Sequence, residues 1–158
     1  FKTGDSYEGN YVDGERQGEG ILSYKNGDVY TGHFQRGKRT GHGTMVWHNG
    51  DVYIGLWSND HENGQGKLTT KNRDVYDGTF RNGKLDGEVI IHYGDGSRFR
   101  GTYRNGMREG KAIEEDAKGV RFEGSYHEDV RDGRFLERNE KGEVTAEGRY
   151  EDGKRIDN

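Results

Sequence analysis

Aromatic residues and glycines recur in this chain with a period of 23 residues, and few folds tolerate that regularity. One aromatic register runs Tyr7, Tyr30, Tyr53, Tyr76, Phe99 and Phe122. Each is followed two residues later by glycine, at Gly9, Gly32, Gly55, Gly78, Gly101 and Gly124. A second aromatic comes two further on, at Tyr11, Phe34, Trp57, Phe80, Tyr103 and Tyr126, and a further glycine register at Gly18, Gly41, Gly64, Gly87, Gly110 and Gly133. Copies begin near Gly4, Gly27, Gly50, Arg73, Gly96, Gly119 and Gly142, the seventh carrying one extra residue and stopping half-built at Asn158. Units this small cannot bury their apolar surface alone, so residues 4–158 are predicted to form one stacked array.

The spacing inside the period identifies the unit. Aromatic-x-Gly-x-aromatic is a period-2 pattern, which places both rings and the glycine on one face of a strand. Polar residues such as Asp13-Gly14-Glu15-Arg16 and Arg36-Gly37-Lys38-Arg39 mark a turn, and a second strand follows, from Gly18 to Tyr24 or from Gly41 to Trp47. Copies then join through Lys25-Asn26-Gly27-Asp28 and His48-Asn49-Gly50-Asp51. Asn-Gly between two strand patterns predicts a tight hairpin with both residues at positive φ. The expected fold is all-β: an elongated, single-layer antiparallel meander of stacked β-hairpins.

Composition alone points elsewhere. Only 27% of residues are hydrophobic and 34% are charged, a balance that leans towards disorder. Ordered placement of the aromatics overrides that reading. The absence of proline fits a ladder in which nearly every N–H is needed. Periodic glycine inside strands needs a reason of its own, and the predicted one is a ring lying over bare backbone.

The Tyr-x-Gly-x-Phe/Tyr/Trp…Asn-Gly…Gly-x-Gly pattern closely resembles MORN repeats (membrane occupation and recognition nexus), and the resemblance spans Gly4 to about Lys154. Arrays of that family occur in protist cytoskeletal scaffolds, in junctional proteins that join membranes and in axonemal radial-spoke proteins. They also occur as modules attached to lipid kinases and to a SET-class lysine methyltransferase. The resemblance implies non-catalytic binding of a protein or peptide partner, in a cytoplasmic setting at the cytoskeleton or a membrane surface. Two alternatives come with it: a module for phosphoinositides or other anionic lipids, and a regulatory N-terminal domain of an enzyme such as that methyltransferase or lipid kinase. Because the chain begins at Phe1, a segment of a longer protein is expected.

Several chemistries find no support. Without cysteine there is no thiolate nucleophile, disulfide or zinc–sulfur site. The six histidines occupy six different positions within the repeat and form no column, so no metal site is expected. Gly64-Gln65-Gly66-Lys67-Leu68 lacks the first glycine, the Ser/Thr and the helix of a phosphate loop. Asp-Gly segments such as Asp95-Gly96 read as turns rather than calcium loops. No catalytic constellation and no cofactor site emerge. A net charge of −4 without a single-sign block argues against nucleic acid.

Two local features suggest sites. Leu22/Tyr24, Met45/Trp47, Leu68/Thr70 and Ile91/Tyr93 line one face of the second strands, and the equivalent positions become Glu114/Asp116 and Glu137/Asn139 further on. This predicts a partner groove of Tyr30, Phe34, Trp47, Tyr53 and Trp57 over a floor of Leu22, Met45 and Leu68, with an acidic far half. Arginines also crowd the fifth repeat, and Arg98, Arg100 and Arg104 are the residues expected to grip a headgroup if lipid is bound. Open sheet edges invite strand addition, and hence a homodimer through the array ends.

Overall fold

The computed structural model describes residues 4–157; Phe1, Lys2, Thr3 and Asn158 lie outside the described residues. Every regular element is a β-strand: β1 Ser6–Val12, β2 Glu15–Ser23, β3 Val29–Gln35, β4 Lys38–Val46, β5 Val52–Ser58, β6 His61–Thr69, β7 Val75–Arg81, β8 Lys84–His92, β9 Arg98–Arg104, β10 Met107–Glu115, β11 Arg121–His127, β12 Val130–Arg131, β13 Gly133–Arg138, β14 Val144–Glu151 and β15 Lys154–Asp157. From β1 to β11 a strand of 7 residues alternates with one of 9, so the sequence period is a structural period. All pairings are antiparallel. The chain divides into two compact units, one ending at Lys84 and the other starting at Leu85.

Two kinds of turn alternate, and their roles are the reverse of the sequence expectation. The two-residue hairpin inside each repeat carries positive φ at both positions, as at Asp13-Gly14 (51° and 78°), Asn59-Asp60 (50° and 70°) and Glu128-Asp129 (47° and 73°). That is a type I′ turn, whose twist matches its strands. It is also tighter than the four-residue turn read from Asp13 to Arg16, because β2 already begins at Glu15. At the Asn-Gly joints only the glycine has positive φ, 101° at Gly27 and 99° at Gly50. Asn26 acts instead through its side chain, whose Oδ1 accepts the Asp28 N–H, and Asn49 does the same for Asp51.

The first unit is a single sheet layer whose one covered face is built in rows. Cross-strand pairing aligns Tyr7, Leu22, Tyr30, Met45, Tyr53, Leu68 and Tyr76 in one row. Beside it Gly9, Gly20, Gly32, Gly43, Gly55, Gly66 and Gly78 form a second row. Each of Tyr7, Tyr30 and Tyr53 lies across a pair of these glycines, and its hydroxyl reaches beyond them to donate to its own i+3 carbonyl: Asn10, His33 and Leu56. A Cβ on Gly66 would sit 2.5 Å from Tyr53 Cε2, and one on Gly55 would sit 2.5 Å from Gly66 Cα. The glycines are spacers, as the sequence predicts.

Bare backbone lets the rings interlock edge to face. Tyr7–Phe34, Phe34–Tyr30, Tyr30–Trp57, Trp57–Tyr53 and Tyr53–Phe80 follow one another with centroids 5.3, 5.1, 5.2, 5.3 and 5.1 Å apart. Such pairs contribute roughly 0.5–1.5 kcal/mol each beyond area burial. The first unit therefore holds its aromatic core on one face of one sheet.

The second unit fills the same rows differently. Phe99 and Phe122 replace the tyrosines, and Val89, Ala112 and Phe135 stand where second glycines stood, all buried. A phenylalanine has no hydroxyl to pass beyond the glycine pair, and Ala112 is accommodated opposite a bare Gly101, where an added Cβ would come within 3.1 Å of Ala112 Cβ.

Gly66→Ala should therefore cost roughly 1–3 kcal/mol, the range for overpacking. Adding Tyr53→Phe should recover part of that loss, because the pair then copies Phe99 and Ala112. Urea unfolding of the two single variants and the double variant measures the coupling; strictly additive losses would reject the spacing account.

Candidate interaction face

Beyond the glycine row, each second aromatic faces the start of the next strand across the hairpin. The residue opposite is arginine in five cases: Arg16 opposite Tyr11, Arg39 opposite Phe34, Arg108 opposite Tyr103, Arg131 opposite Tyr126 and Arg155 opposite Tyr150. These side chains turn back over the rings. Arg16 stands 5.3 Å from the Phe34 centroid, Arg39 4.8 Å from Trp57, Arg108 4.4 Å from Tyr126, Arg131 3.7 Å from Phe122 and Arg155 4.8 Å from Phe135. A guanidinium over a ring face gains cation–π attraction while its plane covers apolar surface.

Neighbouring turns and strands hold the arginines in place. Arg39 donates from its backbone N–H and Nε to Asp60 Oδ1, at 2.8 and 3.1 Å, and from Nη2 to the Asp60 carbonyl at 2.8 Å. Arg108 makes the same three bonds to Asp129, and that carboxylate holds the guanidinium in its charged form. Arg131 donates to Tyr126, Tyr150 and Glu114 at 3.3, 3.2 and 3.1 Å. This column is the feature that sequence reasoning missed. Its signal was present as Arg16, Arg39, Arg108 and Arg131 in one register of the 23-residue period.

The arginine roof changes the predicted groove. Tyr30, Phe34, Tyr53, Trp57, Leu22 and Met45 are brought together, but all are 0–3% exposed and act as core. The Trp57 indole N–H is used internally, donating to the Gly43 carbonyl at 3.2 Å. Burial pushes the Tyr30 and Tyr53 hydroxyls far above the ordinary tyrosine range, since an ionised phenolate there would lose its water. Of the eight groove residues only Trp47 and Leu68 remain half-exposed.

The roof over this face also has a gap. Opposite Trp57 the column carries Glu62 in place of arginine. Arg39 comes within 6.0 Å of the Tyr24 ring and closes the face there. Among the described residues no guanidinium lies over the ring of Trp47 in the next repeat. Trp47 and Leu68 thus keep part of their apolar surface accessible on the face to which Glu62 also belongs.

In the second unit the same face forms a cleft of about 310 Å³ lined by Tyr93, Phe99, Glu114, Phe122, Arg131 and Glu137, among others. The sequence predicts an acidic groove here, and the structure corrects that expectation. Glu114 is bonded by Arg131 and by the Tyr126 hydroxyl, and Glu137 by Arg155 at 3.1 Å. The cleft is an ion-paired network with no excess of either sign.

The proposed headgroup arginines are not a free cluster. Arg98 donates to Glu115 at 2.7 Å, and Arg121 approaches the same carboxylate from the other side. Arg100 and Arg104 are exposed on the face opposite Phe99. Three histidines likewise meet carboxylates on adjacent strands or turns: His33 with Glu19, His48 with Asp28 and His127 with Glu109. Among the described residues no group of three metal-ligating side chains gathers. No helix among them is long and apolar enough to cross a membrane.

The MORN repeat family model matches residues 7–29, 30–52, 53–75, 76–98 and 99–121. Comparison with curated proteins gives no match. Among solved structures the chain is similar to the wild-type TCP10 domain of Danio rerio CPAP, at 15% identity over 94% of this chain and 75% of that one, with a TM-score of 0.50. It is also similar to the TCP10c domain of Drosophila melanogaster Sas-4, at 14% identity over 89% and 96%, TM-score 0.42. A third is the Drosophila SAS-4 TCP domain in complex with a proline-rich motif of Ana2, at 15% identity over 93% and 90%, TM-score 0.38. At these identities the likeness to the first of them is one of fold alone.

Replacing Arg131 with lysine should destabilise the second unit by roughly 1–2 kcal/mol, because an ammonium cannot stack on Phe122 while bonding two phenols and a carboxylate. Arg134→Lys, at an exposed neighbouring site, should be near neutral. Thermal melts of the two variants make the comparison, and equal melting temperatures would show that the roof contributes nothing.

Proposed function

The chain belongs to the MORN-repeat family, and from that premise we propose that it is a non-catalytic interaction scaffold that takes a peptide segment of a protein partner on the ring face of its first unit. The observation that carries this reading is the gap in the arginine roof. Glu62 interrupts the arginines of a face on which Trp47 and Leu68 stand half-exposed beside a packed aromatic floor. A tryptophan in that position offers a large contact area at low entropic cost, since its backbone is held just beyond β4, where its N–H donates to the Asp51 carbonyl.

Charge defines the partner further. Glu62 replaces a cation in a column that is otherwise arginine through Arg16 and Arg39 in this unit. A partner side chain that restores the missing cation would lie towards Phe80, as Arg16 lies over Phe34 and Arg39 over Trp57. The segment that fits is an extended peptide with a lysine or arginine next to an apolar residue, the first for Glu62 and the second for Trp47. The lipid alternative rests only on Arg100 and Arg104, since Arg98 already has a carboxylate partner. No separate observation favours it.

Peptides selected from a displayed library against the whole chain test this reading. Selected binders should carry the basic–apolar pair. They should lose at least tenfold in affinity for Trp47→Ala and for Glu62→Lys, with the melting temperatures of both variants nearly unchanged. Trp57→Ala should instead lose stability, about 3–5 kcal/mol for a buried tryptophan. Undiminished binding to folded Trp47→Ala and Glu62→Lys would place the partner elsewhere.

A further inference from the structure

The sheet of the first unit has a reverse side, opposite the rings, and its middle carries no charge. Strand alternation places two rows there. One runs Ser23, Val29, Val46, Val52, Thr69 and Val75, and the other Ile21, Thr31, Thr44 and Ile54. None of these ten residues is ionisable, and Ile21, Val46 and Ile54 are 40, 41 and 56% exposed. The reverse side of the second unit is built otherwise. There Arg98, Glu115, Arg121, Glu123 and Arg138 form a continuous run of ion pairs, which suits a face left in water. A contiguous patch of valine and isoleucine does not, and such patches mark interaction surfaces.

Charges stand at the flanks of the second row. Glu8 pairs across the strands with Ile21, and Lys67 with Ile54. Both are exposed, and among the described residues neither side chain forms an ion pair or hydrogen bond. From β1 to β6 the row therefore reads Glu8, Ile21, Thr31, Thr44, Ile54, Lys67, which is symmetric in shape and opposite in charge at its two ends. A two-fold axis along the strands, midway between β3 and β4, lays this row on that of a second copy. Ile21 then meets Ile54, Thr31 meets Thr44 and Glu8 meets Lys67, each pair occurring twice. In the other row the same axis sets Val29 against Val46 and Ser23 against Val52. Asp77, on β7, falls outside the overlap.

We propose that the reverse side of the first unit is an interface between two copies of the chain, packed sheet on sheet about this axis. Charge complementarity selects a second copy, because it brings a lysine to Glu8 and a glutamate to Lys67 in one operation. At the roughly 10 Å separation of packed sheets, those two long side chains reach one another. Six strands at about 4.8 Å spacing and about 23 Å long present about 650 Å² per copy, so the dimer buries on the order of 1,300 Å², within the range of about 1,200–2,000 Å² for stable complexes. Apolar contact between the β-branched rows supplies the affinity, and the flanking charges fix the register. The ring face stays free in such a dimer, so the inference is independent of the peptide site and Trp47→Ala leaves it intact.

Sedimentation velocity of the whole chain across the micromolar range should show monomers giving way to dimers as concentration rises. Ile54→Lys should weaken the dimer at least tenfold, while circular dichroism of the dilute variant matches the parent, since Ile54 is exposed in the single chain. Glu8→Lys and Lys67→Glu should each weaken association several-fold, because each sets like charges face to face at two places. Mixed in equal amounts, those two variants should form a heterodimer about as well as the parent forms its own dimer, since both opposite-charge pairs are restored across the axis. Monomers at every concentration would overturn the proposal, including a monomer that instead takes lipid vesicles or another protein on this face. So would a dimer indifferent to Ile54→Lys, or charge variants that mixing does not rescue.

Discussion

A tyrosine ring laid across two paired glycines is the contact from which the rest of the first unit follows. Removing side chains from Gly32 and Gly43, or from Gly55 and Gly66, lets a ring lie directly on backbone. The ring then stands at a height where the second aromatic of its own strand and that of the next repeat meet it edge-on. The tyrosine hydroxyl closes the arrangement by bonding a carbonyl three residues ahead, which fixes the ring along the strand. A chain with little conventional apolar content thereby gains a packed core without a second layer, which a sheet ordinarily needs.

The arginines complete that design from the opposite direction. A one-sided aromatic core would leave ring faces in water, and a guanidinium can cover them while remaining hydrated at its edge. Arg39, Arg108 and Arg131 are also tied to a turn or strand of the following repeat, through Asp60, Asp129 and Tyr150. Cover and repeat-to-repeat coupling come from the same side chain. Function, on the reading proposed above, resides where this cover is interrupted at Glu62.

How much of this is legible without coordinates depends on the kind of signal. The period, the all-β class, the shared face of both aromatic registers and the spacer role of glycine follow from residue spacing, because a strand alternates its faces strictly. Burial does not follow from spacing. Tyr30, Phe34, Tyr53 and Trp57 read as groove anchors only while the arginines read as turn charges, and a long flexible side chain conceals where its end lies. The joints mislead for a related reason. Asn26-Gly27 has the composition of a type I′ turn, yet the Asn26 side chain takes the Asp28 N–H and only Gly27 goes left-handed. Asn59-Asp60 and Glu128-Asp129 adopt the type I′ form with no glycine, because the Asp60 and Asp129 carboxylates also clamp arginines.

The central claim is that the Tyr30 and Tyr53 hydroxyls are sealed beneath this packing, and an alkaline titration of the tyrosines tests it directly. Burial raises both groups in the folded state above the ordinary value of 10.0, so the stability they confer is complete below about pH 10 and is lost as pH rises further. With ¹³C-labelled tyrosine rings followed alongside circular dichroism, both residues should stay protonated through the range in which exposed tyrosines ionise. They should lose their protons only as the strand signal collapses. Ionisation of Tyr30 and Tyr53 near pH 10 with the strand signal intact would contradict the account.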